Sequence, residues 1–354
     1  MLQEEVFSIA GRYLRKMHRV GSDNVSAICP FHRKRDGSEE RSPSFSMSLT
    51  KGVWHCWSCQ LSGTFQSFLH DVGVSRIVVT NQYGELLDAL RHSHGPTFDP
   101  LRPHVVSEDP LPESMLGLFD KCPLHMVEPE YSMILDPDDP VVFEESLIRE
   151  YDIGFDEMHS RITFPLRDLE GGLVGISGRT VTNGFPRYKV YDDEFKALGY
   201  PPHSAANKGV LLWNAHRVYP ATFFGASDQF VLVVEGFRGC LWAIQCGIRN
   251  TIALLGSSLS KQQLWILEHL GCRVYIMLDN DDAGRRALRG YTKEGQKRPG
   301  IAERLSRSLD VSIVEYPGKQ PTKLTQEQLC AAVNNAVDYY AWVNKKETLD
   351  GIVR

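Results

Sequence analysis

The chain has 354 residues, 42% of them hydrophobic and 23% charged, with a formal net charge of −5. This length and apolar content suit a folded soluble protein of two or three domains. Eight irregularly spaced cysteines do not read as a disulfide framework, and no apolar run approaches the roughly 18 residues needed to span a bilayer. The acidic start, Met1 to Glu5, is unlike a signal peptide, so the expected compartment is a reducing cytoplasm with no membrane contact.

The negative charge is segregated. Residues 81–160 hold 18 Asp and Glu against 4 Lys and Arg, a local −14 that leaves +9 for the rest. Residues 1–60 carry nine basic against six acidic residues, a mild excess that an ordinary solvated face explains equally well.

The first element is an amphipathic pattern running through Val6, Ile9, Ala10, Tyr13, Leu14 and Met17. Beyond it, Cys29-Pro30-Phe31-His32 and Cys56-Trp57-Ser58-Cys59 are two ligand pairs, each with two residues between partners. Such spacing lets a turn aim both side chains at one ion, and a Cys₃His set matches a closed tetrahedral structural zinc site. The competing reading is a redox dithiol at Cys56 and Cys59 beside a coincidental first pair. His55 competes with His32 as fourth ligand, but as the strand neighbour of Cys56 it points to the opposite face, which favours His32. Arg33, Lys34, Arg35, Arg41 and Lys51 alternate here with Phe45, Trp54 and Trp57, a mixture suited to single-stranded nucleic acid. Phe45 and Trp54 are expected in the core of the small fold, while Trp57 stays open between core and stacking.

Residues 94–112 contain five prolines without periodicity and read as a stiff linker between a small head and a large body. In the body, two strand-like runs flank the turn Asp168 to Gly172, a hairpin signal. A basic, aromatic stretch follows: Arg179, Arg187, Tyr188, Lys189 and Tyr191. From Val231 strands and helices alternate as a βαβαβ unit with a parallel sheet, with a capping box at Ser260 and Gln263 and a helix stop at Gly271. Two of its apolar strands end in Glu235 and in Asp279-Asn280-Asp281. Side chains at the carboxyl ends of adjacent parallel strands converge on one crevice, and oxygen clusters of this kind hold Mg²⁺ for displacement at phosphorus. Phosphoryl or nucleotidyl transfer is therefore expected.

Taken together, CPFH, SPSF, WHCWSC and SGTFQSF closely resemble the zinc-binding domain of bacterial DnaG-type and phage DNA primases. The stretch Arg33 to Arg41 looks like an insertion. The segments REYDIGF, RITFPLRDLEGGLVGISGR, PRY and NKGVLLWN resemble the amino-terminal part of the primase RNA-polymerase domain, and VLVVEGF, IALLGSSLS and LDNDDAGR resemble its Toprim part. The resemblance implies an α/β protein: a zinc-ribbon domain at 1–93, a linker at 94–112, an α+β subdomain at 113–228, a Toprim subdomain at 229–316 and a helical segment at 317–354. It implies that Glu235, Asp279 and Asp281 form the catalytic Mg²⁺ or Mn²⁺ cluster. Arg179, Arg187, Lys189 and Lys208 would contact nucleoside triphosphates or template, and Cys29, His32, Cys56 and Cys59 would hold zinc. The implied partners are single-stranded DNA and nucleoside triphosphates, with a replicative helicase as a further candidate, for a monomeric enzyme of bacterial or phage-infected cytoplasm that makes RNA primers during DNA replication.

Two departures weaken the metal cluster. The family usually has Asp where this chain has Gly239, and an acidic GEDPD-like stretch where it has Gly318-Lys319-Gln320-Pro321-Thr322. Asp282, Asp310 and Glu315 are the candidates to compensate. The chain length leaves no room for a fused helicase domain or a full helicase-binding domain. The rival readings are a metal-dependent Toprim nuclease and a catalytically weakened single-stranded-DNA-binding replication factor.

Overall fold

The computed structural model describes residues 2–31, 42–59, 62–74, 76–92, 110–138, 140–182, 184–192, 194–195, 208–223, 230–270, 272–293 and 296–352. Among these no helix is long and apolar enough to cross a membrane. His32, the insertion at 33–41, most of the expected linker and Gly271 lie outside the described residues. The chain divides into two compact units. One comprises Met1–Met115, Arg167–Leu173 and Ala215–Ala226, the other Leu116–Leu166, Val174–Asn214 and Ser227–Arg354.

The first unit begins with a helix, Leu2–Ala10, that buries Val6, Ile9 and Ala10. The amphipathic period does not continue as helix: the chain turns at Gly11, and Met17 lies on a strand. Five strands follow in sequence order as an antiparallel sheet: β1 (Arg15–Val20), β2 (Asn24–Ile28), β3 (Phe45–Ser48), β4 (Val53–Cys56) and β5 (Ser62–Thr64). Helices Phe65–Asp71 and Arg76–His92 close the unit over an aromatic core. Phe45 and Trp54 stack there at 5.2 Å, as expected of core residues, and the indole N–H of Trp54 donates to the Thr64 carbonyl at 3.0 Å. Trp57 is 44% exposed, so the stacking side of its open reading is the one the structure allows.

His216, on the helix Ala215–Phe223 of this unit, is buried, with no partner at Nδ1. Burial first, then the nearby charges of Arg217 and Arg167, push its pKa well below the ordinary imidazole value. The neutral ring therefore supports folding fully above about pH 6.5, and that support is lost as the pH falls and the unfolded chain takes up the proton. Denaturant titrations should show wild type losing stability relative to His216→Leu by up to about 1.4 kcal/mol per pH unit below ~6.5. Parallel pH profiles for the two proteins would contradict this.

In the second unit, β6 (Gly154–Asp156), β7 (Arg161–Arg167), β8 (Leu173–Thr180) and β9 (Tyr188–Val190) form an antiparallel sheet in sequence order. The expected hairpin joins β7 to β8, and its turn lies in the segment Arg167–Leu173 that belongs to the first unit. Asp168 shapes its turn by accepting the N–H groups of Glu170 and Gly172 at 3.1 and 2.8 Å. The expected βαβαβ unit also forms. β10 (Phe230–Val234) is central, flanked by β11 (Thr251–Ala253) and β12 (Arg273–Met277), with β15 (Val311–Ile313) beyond, all parallel. Val231, Leu232 and Val233 are fully buried, at about 1.5–3 kcal/mol each for removal from water, which is why this strand is apolar on both faces. The capping box is present: Ser260 Oγ accepts the Gln263 N–H at 2.9 Å and Gln263 Oε1 accepts the Ser260 N–H at 3.0 Å.

A helix, Asp282–Arg289, follows the third strand, and after it comes a two-stranded antiparallel hairpin, β13 (Gly290–Lys293) and β14 (Gln296–Pro299). One feature of this unit differs from the sequence expectation. The segment expected to be helical at 317–354 is interrupted by β16 (Val337–Asp338), which pairs antiparallel with β15 and covers the edge of the parallel sheet. Its helices are Gln326–Asn334 and Tyr339–Ile352. A two-residue strand leaves no period of its own, so the surrounding apolar spacing hid it.

Candidate functional site

In the first unit, the ends of β2 and β4 bring three thiols together. The Sγ atoms of Cys29, Cys56 and Cys59 all lie within 4.8 Å of one another, the one metal-ligating group of this kind among the described residues. Cys29 Sγ and Cys59 Sγ are 3.8 Å apart. Sulfurs at the corners of a zinc tetrahedron with bonds of about 2.3 Å are themselves roughly 3.8 Å apart, so the spacing fits structural zinc. Cys56 Sγ is placed to accept from the Ser44 hydroxyl at 3.2 Å and the Cys59 N–H at 3.4 Å. Hydrogen bonds from Cys29 and Cys59 hold the Cys56 thiol far down as a thiolate, and the same contacts push Cys29 up. Three thiols at this spacing form a site where a cation readily replaces their protons. His55 is buried beside this group without joining it, and neither ring nitrogen has a partner.

In the second unit a cleft of about 340 Å³ opens at the carboxyl ends of the parallel strands. In-register pairing of Val234 with Met277 sets Glu235 and Asp279 at neighbouring strand ends, and both line the cleft. Oε2 of Glu235 is buried with no hydrogen-bond partner. Burial and the Asp281 charge raise the Glu235 pKa, against a lowering hydrogen bond from the Asp279 backbone. An orphaned carboxylate oxygen beside two aspartates suits a divalent cation.

Asp281 is placed differently. It N-caps the helix Asp282–Arg289, with Oδ1 accepting the Gly284 N–H at 2.8 Å, and it is not among the residues lining the cleft. Gly284 permits this turn: a Cβ there would stand 1.9 Å from the Asp279 carbonyl oxygen. The three acids do not close to within 4.8 Å of one another as the thiols do.

The cleft is also lined by cations. Arg179, Arg187 and Lys208 line the cleft, together with Arg238, which sequence reasoning missed. Arg179 is only 1% exposed, and its Nε and Nη1 have no partner. Burial pushes its pKa down to about 10, and burial also lowers that of Lys208. Lys189 is not part of this wall. Its ammonium is held by Glu194 at 2.6 Å.

The acids proposed to compensate for the family departures are engaged elsewhere. Asp282 pairs with Arg285 at 2.7 Å, and Asp310 pairs with Arg273 at 2.8 Å, before the start of β15 and so at the other end of the sheet. Glu315 accepts the Trp342 indole N–H at 3.1 Å. At the second departure, main-chain groups take over: the carbonyls of Gly318 and Lys319 accept from Asn280, while Gln320, Pro321 and Thr322 line the cleft.

Residues 2–90 match the family model of the CHC2 zinc finger, and residues 232–320 match that of the Toprim-like domain. The chain is 26% identical over 309 residues to a DNA primase of Deinococcus radiodurans, covering 79% of this chain and 50% of that protein. It is also 26% identical over 386 residues to a DNA primase of Enterococcus faecalis, covering 94% and 56%. The chain thus spans about half the length of the curated relatives it matches. The zinc-binding and RNA polymerase domains of the Aquifex aeolicus primase share its fold with a TM-score of 0.53 at 20% identity, covering 99% of this chain and 88% of that one.

Proposed function

We propose that this chain, which belongs to the DnaG-type DNA primases, makes short RNA primers on single-stranded DNA during bacterial or phage replication in the cytoplasm. The observation that carries the reading is the pairing, in one cleft, of an orphaned buried carboxylate oxygen on Glu235 with a buried, half-satisfied guanidinium on Arg179. Acids that can hold a cation and arginines that can hold phosphate, lining one cleft, suit a metal-complexed triphosphate, whereas either set alone would suit many ligands.

In this reaction the 3′-hydroxyl of one nucleotide attacks the α-phosphorus of the next, and pyrophosphate leaves. Mg²⁺ or Mn²⁺, held by Glu235 and Asp279 with Asp281 nearby, would lower the hydroxyl pKa and offset the leaving charge. Arg179, Arg187 and Lys208 would hold phosphate oxygens of the triphosphate or template, with Arg238 joining them. Lys189, tied to Glu194, would act through that ion pair on the shape of β9. Zinc on Cys29, Cys56 and Cys59, with His32 as the proposed fourth ligand, would staple a domain that presents Trp57 to single-stranded template. A replicative helicase is the proposed protein partner, and the working state is a monomer.

A second reading, binding of single-stranded DNA without synthesis, is favoured by the missing acids at Gly239 and 318–322. Incubating the protein with single-stranded DNA, NTPs and Mg²⁺ or Mn²⁺ should give short RNA products. Binding without products would establish the second reading, and cleavage of labelled DNA with metal but no NTPs would identify a nuclease.

A further inference from the structure

Three arginines of the cationic wall gather at one carboxylate. Asp136 Oδ2 accepts from Arg187 at 2.7 Å and from Arg238 at 2.9 Å, and Arg179 Nη2 stands 3.6 Å away. Asp136 caps the carboxyl end of the helix Pro129–Leu135, where its N–H bonds to Ser132, and its own side chain lines the cleft. Three guanidiniums thus share one carboxylate oxygen. Two further nitrogens of the buried Arg179, Nε and Nη1, have no hydrogen-bond partner. Guanidinium forks take carboxylate and phosphate oxygens with the same geometry, so the position of Oδ2 is one that a phosphate oxygen could take.

We propose that Asp136 is an internal competitor for the triphosphate: it holds the arginine set while the cleft has no nucleotide and gives it up to a polyphosphate. This rests on the reading of the cleft as a nucleotide site. A carboxylate brings one negative charge to three cations, whereas a triphosphate brings about four, so polyphosphates displace it and singly charged anions compete poorly. After phosphodiester formation Asp136 reclaims the arginines and promotes release of pyrophosphate. Arg238 stands on the helix Phe237–Gln245, which directly follows Glu235 in the chain.

The test is binding rather than synthesis. With the full-length zinc-loaded chain, the affinities of pyrophosphate and of a non-hydrolysable NTP are measured by calorimetry for wild type, Asp136→Asn and Asp136→Ser. Removing one charge about 4 Å from the ligand should tighten both by roughly tenfold, with less gain for inorganic phosphate. Unchanged or weaker binding in a folded variant overturns the proposal, because a residue that merely positioned the arginines would lose affinity when neutralised. Asp136→Ser supplies the same comparison should the Asn variant fail to fold. If wild type makes no primers yet both variants bind pyrophosphate more tightly, the competitor role stands and the polymerase reading falls. Normal primer synthesis with unaltered affinities leaves the polymerase reading standing and overturns the competitor role.

Discussion

Glu235→Gln should abolish primer synthesis, with a loss of roughly 100-fold or more, while the protein stays folded. The amide is isosteric and keeps an oxygen to accept the hydrogen bond from the Asp279 backbone that the carboxylate now accepts. It removes the negative charge at an oxygen that has no protein partner and so contributes little to holding the fold. It also offers N–H groups where a cation should sit, which turns attraction into repulsion. Asp281→Asn should be milder, because an Asn still caps the helix at Gly284 and the side chain is more exposed. Rates on a single-stranded template, with thermal denaturation as the control for folding, check both variants. If Glu235→Gln works within a few-fold of wild type, Glu235 is not at the reacting centre.

The other large effect is expected in the first unit. Cys56→Ser should remove bound zinc and loosen the sheet around β4, since structural zinc contributes about 10–16 kcal/mol in small domains at neutral pH. Cys56 is the fully buried member of the thiol group, so its replacement leaves Cys29 and Cys59 with a neutral hydroxyl beside them. The loss should be smaller than in an isolated zinc finger, because the aromatic core of Phe45, Trp54, Phe65 and Phe68 survives. Metal analysis should fall from one zinc per chain to none, with faster proteolysis between residues 42 and 64. A variant that keeps stoichiometric zinc would refute the assignment, and wild type that holds no zinc but cycles between dithiol and disulfide would establish the redox alternative.

The strand-end acids were legible because an apolar run followed by a carboxylate has one common meaning in a parallel sheet, and the register of β10 with β12 sets Glu235 and Asp279 at neighbouring ends accordingly. The hairpin at Asp168 and the helix start at Ser260 were legible because turns and caps are written in consecutive residues. Asp136 was not legible. It sits in the acidic stretch that sequence reading treats as bulk charge, and it meets Arg238 across 102 residues. Arg238 was not legible for the same reason: its partner Asp136 is remote in sequence. The β13–β14 hairpin was not read from the sequence, although Tyr291-Thr292 and Lys297-Arg298, which pair in it, include residue types that favour strands.

Gly284 also bears on descent. Its missing side chain lets the first turn of a helix lie against the backbone of Asp279, a demand that exists whether or not the acids are used. A lineage that abandoned the chemistry could exchange the acids one at a time, but not this glycine without moving the strand end. Among distant relatives, a glycine five residues past the first aspartate therefore marks inheritance of the architecture, and the aspartates mark whether the activity was kept.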